Sequence, residues 1–229
     1  MTHHKAKITA LAAVLAGFVC LATVALASPI SVAGTVWAGA TAYPNNLATT
    51  PPAGTPTATF TVSNSSANIF NFYSSTDNDL TSFLTNGGTN GNVITYLTGG
   101  DLNNVSEGCS VTAGATCGIN NAVIEFTGST YMVHGASYNV IKDDAAYLVI
   151  DGVSVLQNDS VNDSAAELDP FTWTGATGTY NFDLLYQEVN GAPAELESDI
   201  KVTPEPGSLF LVGTGLLMFA GLVRRSLQA

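Results

Sequence analysis

The chain has 229 residues and a formal net charge of -12, from 18 acidic side chains against 6 Lys and Arg. Four of those cations, Lys5, Lys7, Arg224 and Arg225, sit beside terminal apolar stretches, leaving Lys142 and Lys201 in the middle. Nucleic acid and other polyanions therefore have no basic footprint to bind. The middle is long enough to bury a core as one domain without help from metals or many disulfides.

The N-terminal residues 1–27 place His3, His4, Lys5 and Lys7 before an apolar or small-residue run that closes on Ala25-Leu26-Ala27, followed by Ser28 and Pro29. This three-part layout is that of a secretory signal, with cleavage by a signal peptidase expected after Ala27. An uncleaved membrane anchor is the alternative. Cys20 follows the bulky Val19, which argues against a lipoprotein site.

The exported domain is expected over residues 28–202. Residues 31–59, rich in Pro, Gly, Ala and Thr, read as a lead-in with little helix. Alternation then begins, with Ala58, Phe60 and Val62 on one face and Thr57, Thr59 and Thr61 on the other. Period two denotes a half-buried strand. The same pattern puts Ala122, Ile124 and Phe126 inward, and lays Tyr180, Phe182, Leu184 and Tyr186 along one sheet face. Between Tyr147-Leu148-Val149-Ile150 and Val153-Ser154-Val155-Leu156 stands Asp151-Gly152, the pair a tight type I′ hairpin prefers. Asn- and Gly-rich loops such as residues 86–91 separate these runs. No long helical period intervenes, so the expectation is all-β, a sandwich or barrel.

Cys109 and Cys117 flank a short loop and would meet oxidising conditions after export, so a disulfide is expected. Such a bridge stabilises by roughly 2–3 kcal/mol in the chain-entropy model. A zinc site is disfavoured because the exported part has one histidine, His134, read as a surface residue in a turn beside Gly135. Catalytic motifs are missing: there is no Gly-x-Ser-x-Gly, no His-Glu-x-x-His and no phosphate loop. Paired carboxylates among Glu125, Asp169, Asp183 and Glu188 leave a glycoside hydrolase as a minor alternative. The reading is otherwise non-enzymatic, with no catalytic residue assigned.

The far end, residues 203–229, runs through Pro204-Glu205-Pro206-Gly207, an apolar stretch over residues 209–223, and Arg224-Arg225. This arrangement resembles the PEP-CTERM sorting signal of bacterial surface proteins. The resemblance implies an exosortase as partner, transient residence in the inner membrane, and release or transfer to the cell surface. An apolar helix of about fifteen residues is only ~22 Å long, short for a bilayer core of roughly 30 Å. Arginines on the cytoplasmic side would put the domain outside. A plain C-terminal anchor is the alternative and gives the same topology.

The run Phe126-Thr127-Gly128-Ser129-Thr130-Tyr131, then Tyr138-Asn139-Val140-Ile141-Lys142-Asp143-Asp144, then Leu148-Val149-Ile150-Asp151-Gly152 is similar to the centre of protective-antigen-type and fibro-slime β-sandwich domains. Residues 178–186, Asn190-Gly191 and Ala194-Glu195-Leu196 resemble their closing hairpin. The resemblance implies an antiparallel, jelly-roll-like β-sandwich, here flanked by a signal helix and a transmembrane helix. It covers the second half of the domain; the first half, to about Asn121, has no such match. In the sugar-binding branch, two consecutive aspartates hold calcium, which in turn binds sugar hydroxyls. Asp143 and Asp144 match that pair, with further ligands expected from Asn158, Asp159, Asn162, Asp163, Glu167 and Asp169. The other reading is that Asp143 and Asp144 only cap a turn, and here Ala145 replaces the glycine usual after the pair. No cofactor other than calcium is implied. The functional expectation is adhesion with binding of extracellular polysaccharide, against a purely structural coat component.

Overall fold

The structure, a computed structural model, describes residues 30–38, 49–66, 68–75, 79–100, 122–158, 166–188 and 193–203, all within one compact unit, Ile30–Thr203. Ala25, Ala27, Ser28, Cys109, Cys117, Pro204, Glu205, Pro206, Gly207, Arg224 and Arg225 lie outside the described residues, as does the apolar stretch 209–223. Among the described residues no helix is long and apolar enough to cross a membrane.

The elements are β1 (Ile30–Ala38), β2 (Ala58–Asn64), β3 (Asn71–Ser74), α1 (Leu80–Thr85), β4 (Val93–Thr98), β5 (Ala122–Met132), β6 (Ser137–Asp143), β7 (Ala145–Ile150), β8 (Val153–Asn158), β9 (Glu167–Thr172), β10 (Gly178–Glu188) and β11 (Ala194–Ser198). They form a seven-stranded sheet ordered β4-β2-β1-β5-β10-β7-β8 and a four-stranded sheet ordered β3-β11-β6-β9. Every pairing is antiparallel. The fold is thus an all-β sandwich, as expected from the alternation.

Alternation places the core. Phe60 of β2, Phe126 of β5, and Phe182, Leu184 and Tyr186 of β10 turn inward from the larger sheet; Phe72, Val140 and Leu196 turn inward from the smaller one. Phe126 has Phe60, Phe70 and Phe72 around it, with ring centroids 6.2, 5.8 and 5.1 Å away. The Phe60 and Phe70 contacts are edge-on, a geometry that adds ~0.5–1.5 kcal/mol each beyond burial.

Three local features depart from the sequence reading. The segment taken as a lead-in contains β1, a central strand with Val32 and Val36 buried in the core. A single helical turn and a half, α1, closes one side of the core with Leu80, Phe83 and Leu84. Asp79 caps it by accepting a hydrogen bond from Ser82 N at 2.7 Å, and Asn86 ends it in the left-handed region at φ 48°. The Asn-rich loop after the helix is no mere spacer. The Asn92 side chain donates to the carbonyls of Ile69 and Leu84 at 3.0 and 2.8 Å and accepts from Asn64 Nδ2 at 2.7 Å. It ties β2, α1 and the lead into β3 together.

The hairpin between β7 and β8 turns at Asp151 (φ 51°) and Gly152 (φ 77°), both positive as a type I′ turn requires. His134 is exposed beside Gly135, and its Nδ1 lies 2.9 Å from the Gly175 carbonyl.

Candidate functional site

Register brings several connections to one end of the sandwich. Strand β6 of the small sheet passes into β7 of the large sheet at Asp143-Asp144, a cis peptide. There Asp143 pairs with Glu195 of β11, and Ala145 pairs with Gln187 of β10. The connection from β10 to β11 therefore begins and ends beside the two aspartates. The connection from β8 to β9 does the same, because Asn158 pairs with Ala146 and Glu167 with Lys142. Three crossings between the sheets thus share one corner.

The residues of that corner are unusually polar for their burial. Asp143 is 3% exposed, Asp144 0% and Glu188 1%. Asp143 closes β6, and both residues are buried. Burying carboxylates costs several kcal/mol unless charge or hydrogen bonding compensates, roughly 2–7 kcal/mol even for neutral polar groups. Glu188 responds accordingly. Its carboxyl is held well above the usual carboxylate range by burial first and by the neighbouring Asp144 charge next. The Tyr186 hydroxyl hydrogen-bonds the Asp143 carbonyl and lies 2.8 Å from Glu188 Oε2. Burial, then the Glu188 charge, pushes the phenol well above its ordinary value.

Lys142, fully buried and one residue before the pair, donates to Glu167 Oε2 at 3.0 Å and lies 3.9 Å from Asp169 Oδ2. One carboxylate oxygen of each of Glu167 and Asp169 thus faces the Lys142 ammonium. Asp159, Asn162 and Asp163 lie outside the described residues.

The donors at Asp143 and Asp144 are hard carboxylate oxygens, the type calcium takes. Among the described residues, however, no group of three or more His, Cys, Asp or Glu is arranged to hold a metal ion. The pair can supply part of a coordination shell and no more. Sequence reasoning missed Glu188 as a member of this corner. Its signal was available, since alternation along β10 puts Glu188 on the same inward face as Leu184 and Tyr186.

The other carboxylates considered for hydrolysis are dispersed. Glu125 and Asp183 are diagonal neighbours on the outer face of β5 and β10, where Asp183 pairs with Thr127 and Leu185 with Glu125. Burial raises both, and Asp183 raises Glu125 further. Asp169 sits across the sandwich beside Lys142 and Glu188 in the buried corner, so the four do not form one site.

No family model and no curated protein sequence matches the chain. Among solved structures it is similar to a "PA14 sugar-binding domain from RTX adhesin", at 18% identity over 76% of this chain and 91% of that one, with a TM-score of 0.45. It is also similar to the "PA14 domain of MpAFP Antifreeze protein", at 18% identity over 77% and 83%, with a TM-score of 0.47.

Proposed function

We propose that this chain is an exported, non-enzymatic surface protein whose sandwich binds extracellular carbohydrate with the help of calcium at the Asp143-Asp144 corner. The observation that carries the reading is the burial of two adjacent aspartates together with Glu188 where three inter-sheet connections meet. Concentrated carboxylate charge at the end of a rigid sandwich suits a hard dication, and a dication with open positions suits vicinal hydroxyls. Export and sorting through residues 1–27 and 203–229, by signal peptidase and exosortase, supply the extracellular setting. In this reading Tyr186 holds the Asp143 backbone in place, and the Lys142 ammonium anchors β9 beside β6.

The test is thermal denaturation of the protein with and without calcium, followed by glycan-array binding under both conditions. At ~1 mM calcium, within the affinity range of extracellular calcium modules, the melting temperature is expected to rise, and Asp144→Asn is expected to abolish the rise. A melting temperature indifferent to calcium removes the metal from the proposal. Loss of glycan binding in both conditions would leave a structural coat component, and cleavage of any polysaccharide would make it a hydrolase. Mass spectrometry of the mature protein from its own cells tests the sorting steps, with new termini expected after Ala27 and near Pro204.

A further inference from the structure

The outer face of the four-stranded sheet carries a groove that the acidic corner does not use. Its volume is about 260 Å³. One row of side chains crosses all four strands: Asn71 of β3 stands beside Glu197 of β11, Glu197 beside Ile141 of β6, and Ile141 beside Leu168 of β9. With neighbouring strands ~4.8 Å apart, the row is about 14 Å long.

Alongside it, Asn139 and Asp199 lock each other by two hydrogen bonds, Asn139 N to Asp199 Oδ1 at 2.9 Å and Asn139 Nδ2 to Asp199 Oδ2 at 3.0 Å. Two planar polar groups are thereby fixed before any ligand arrives, which lowers the ordering cost of binding. Leu168 leaves 56% of its surface in solvent at one end of the row, an unusual exposure for a leucine on a strand. The row thus runs from an amide and a carboxylate at one end to bare aliphatic surface at the other. Among the described residues the groove lining includes no Lys, Arg or His, and its two acids repel anions.

A ligand complementary to this surface carries many hydroxyls at its edge, exposes C–H faces, bears no negative charge, and is longer than one ring. We propose that the groove is a second carbohydrate site, taking an uncharged oligosaccharide without calcium. It shares its ligand class with the reading above, but Asp143, Asp144 and Glu188 do not line it; Ile141 lies two residues, ~7 Å, from Asp143 along β6.

The experiment probes the full chain against arrays of neutral oligosaccharides and their uronic-acid counterparts in EDTA, with titration calorimetry on the best binder. Glu197→Ala and Leu168→Ala alter side chains that reach solvent, and their melting temperatures verify the fold. The expected result is binding of a neutral glycan in EDTA, weakened at least tenfold by each substitution. No binding in EDTA, binding that both variants retain, or a preference for the acidic sugars would each overturn the groove assignment. The corner reading stands or falls on the calcium arm alone.

Discussion

The hydroxyl of Tyr186 lies 2.8 Å from Glu188 Oε2 and also meets the Asp143 carbonyl, so one hydroxyl hydrogen faces two acceptors. The hydroxyl is the donor in both contacts, shared between the Glu188 carboxylate and the Asp143 carbonyl. Burial and then the Asp144 charge raise the Glu188 pKa, while the hydrogen bond from Tyr186 lowers it. The Tyr186 hydroxyl therefore fixes the backbone of the acidic corner.

Tyr186→Phe keeps the ring stacked on Phe83, whose centroid is 5.4 Å away, and deletes only the hydroxyl. The Asp143 carbonyl and the Glu188 carboxyl lose a partner inside the protein. A destabilisation of about 1–3 kcal/mol is expected, read from the urea midpoint. An unchanged midpoint would show that the hydroxyl is not holding the corner.

Stability should fall as pH rises. Glu188, Glu125 and Asp183 all have native pKa values above their ordinary ones. Between the unfolded value of about 4 and the higher native values, the folded chain binds more protons than the unfolded one. Relative to ordinary carboxylates, these groups cost nothing below that window and progressively more on passing through it. Melting temperature measured from pH 4 upwards should decline, and Glu188→Gln should flatten the decline more than Glu125→Gln, because Glu125 is half-exposed. A rising curve in the wild type would contradict the assignment.

Asn92→Ala removes two donors from the carbonyls of Ile69 and Leu84 and one acceptor from Asn64. A loss of about 1–3 kcal/mol or more is expected, since these are buried groups left unmade. Hydrogen exchange should locate the loosening at α1 and β3, with the β5–β10 ladder unaffected.

Gly34→Ala tests the seating of β1. A Cβ at that position would stand 2.2 Å from Phe60 Cε2, and Phe60 is fully buried. Overpacking of this kind typically costs 1–3 kcal/mol. The companion variant Gly34→Ala with Phe60→Leu should recover part of the loss in the same denaturation assay; no recovery would place the strain elsewhere.

That same glycine explains why β1 was illegible in the sequence. Ile30, Val32 and Val36 alternate with polar or small residues, but Gly34 interrupts the apolar row, and its missing side chain is what lets Phe60 lie across the strand. Strong alternators such as residues 58–62, 122–126 and 180–186 were read correctly because one face is apolar at every second position. Helix α1 is too short to show a period, and only its Asp79 cap marked it. The aspartate pair was found through resemblance. Its burial could not be read locally, because what covers Asp143 and Asp144 is brought by register from β10 and β11, far along the chain. The nearness of Glu167 and Asp169 to Lys142 is hidden in the sequence for a related reason, since it comes from the register of β6 and β9.

Strand β5 runs the length of the large sheet. At its first residue, Ala122 meets Glu188; near its far end, Thr130 bridges Val202, and β1 starts in that half too, since Ala33 meets Thr127. From Thr130 back to Ala122 is about 27 Å at ~3.4 Å per residue. Both the incoming and the outgoing polypeptide thus join the sandwich at the pole remote from the aspartates. Sequence changes in the connections around the aspartates therefore fall about 27 Å from the strand ends where the chain enters and leaves the sandwich.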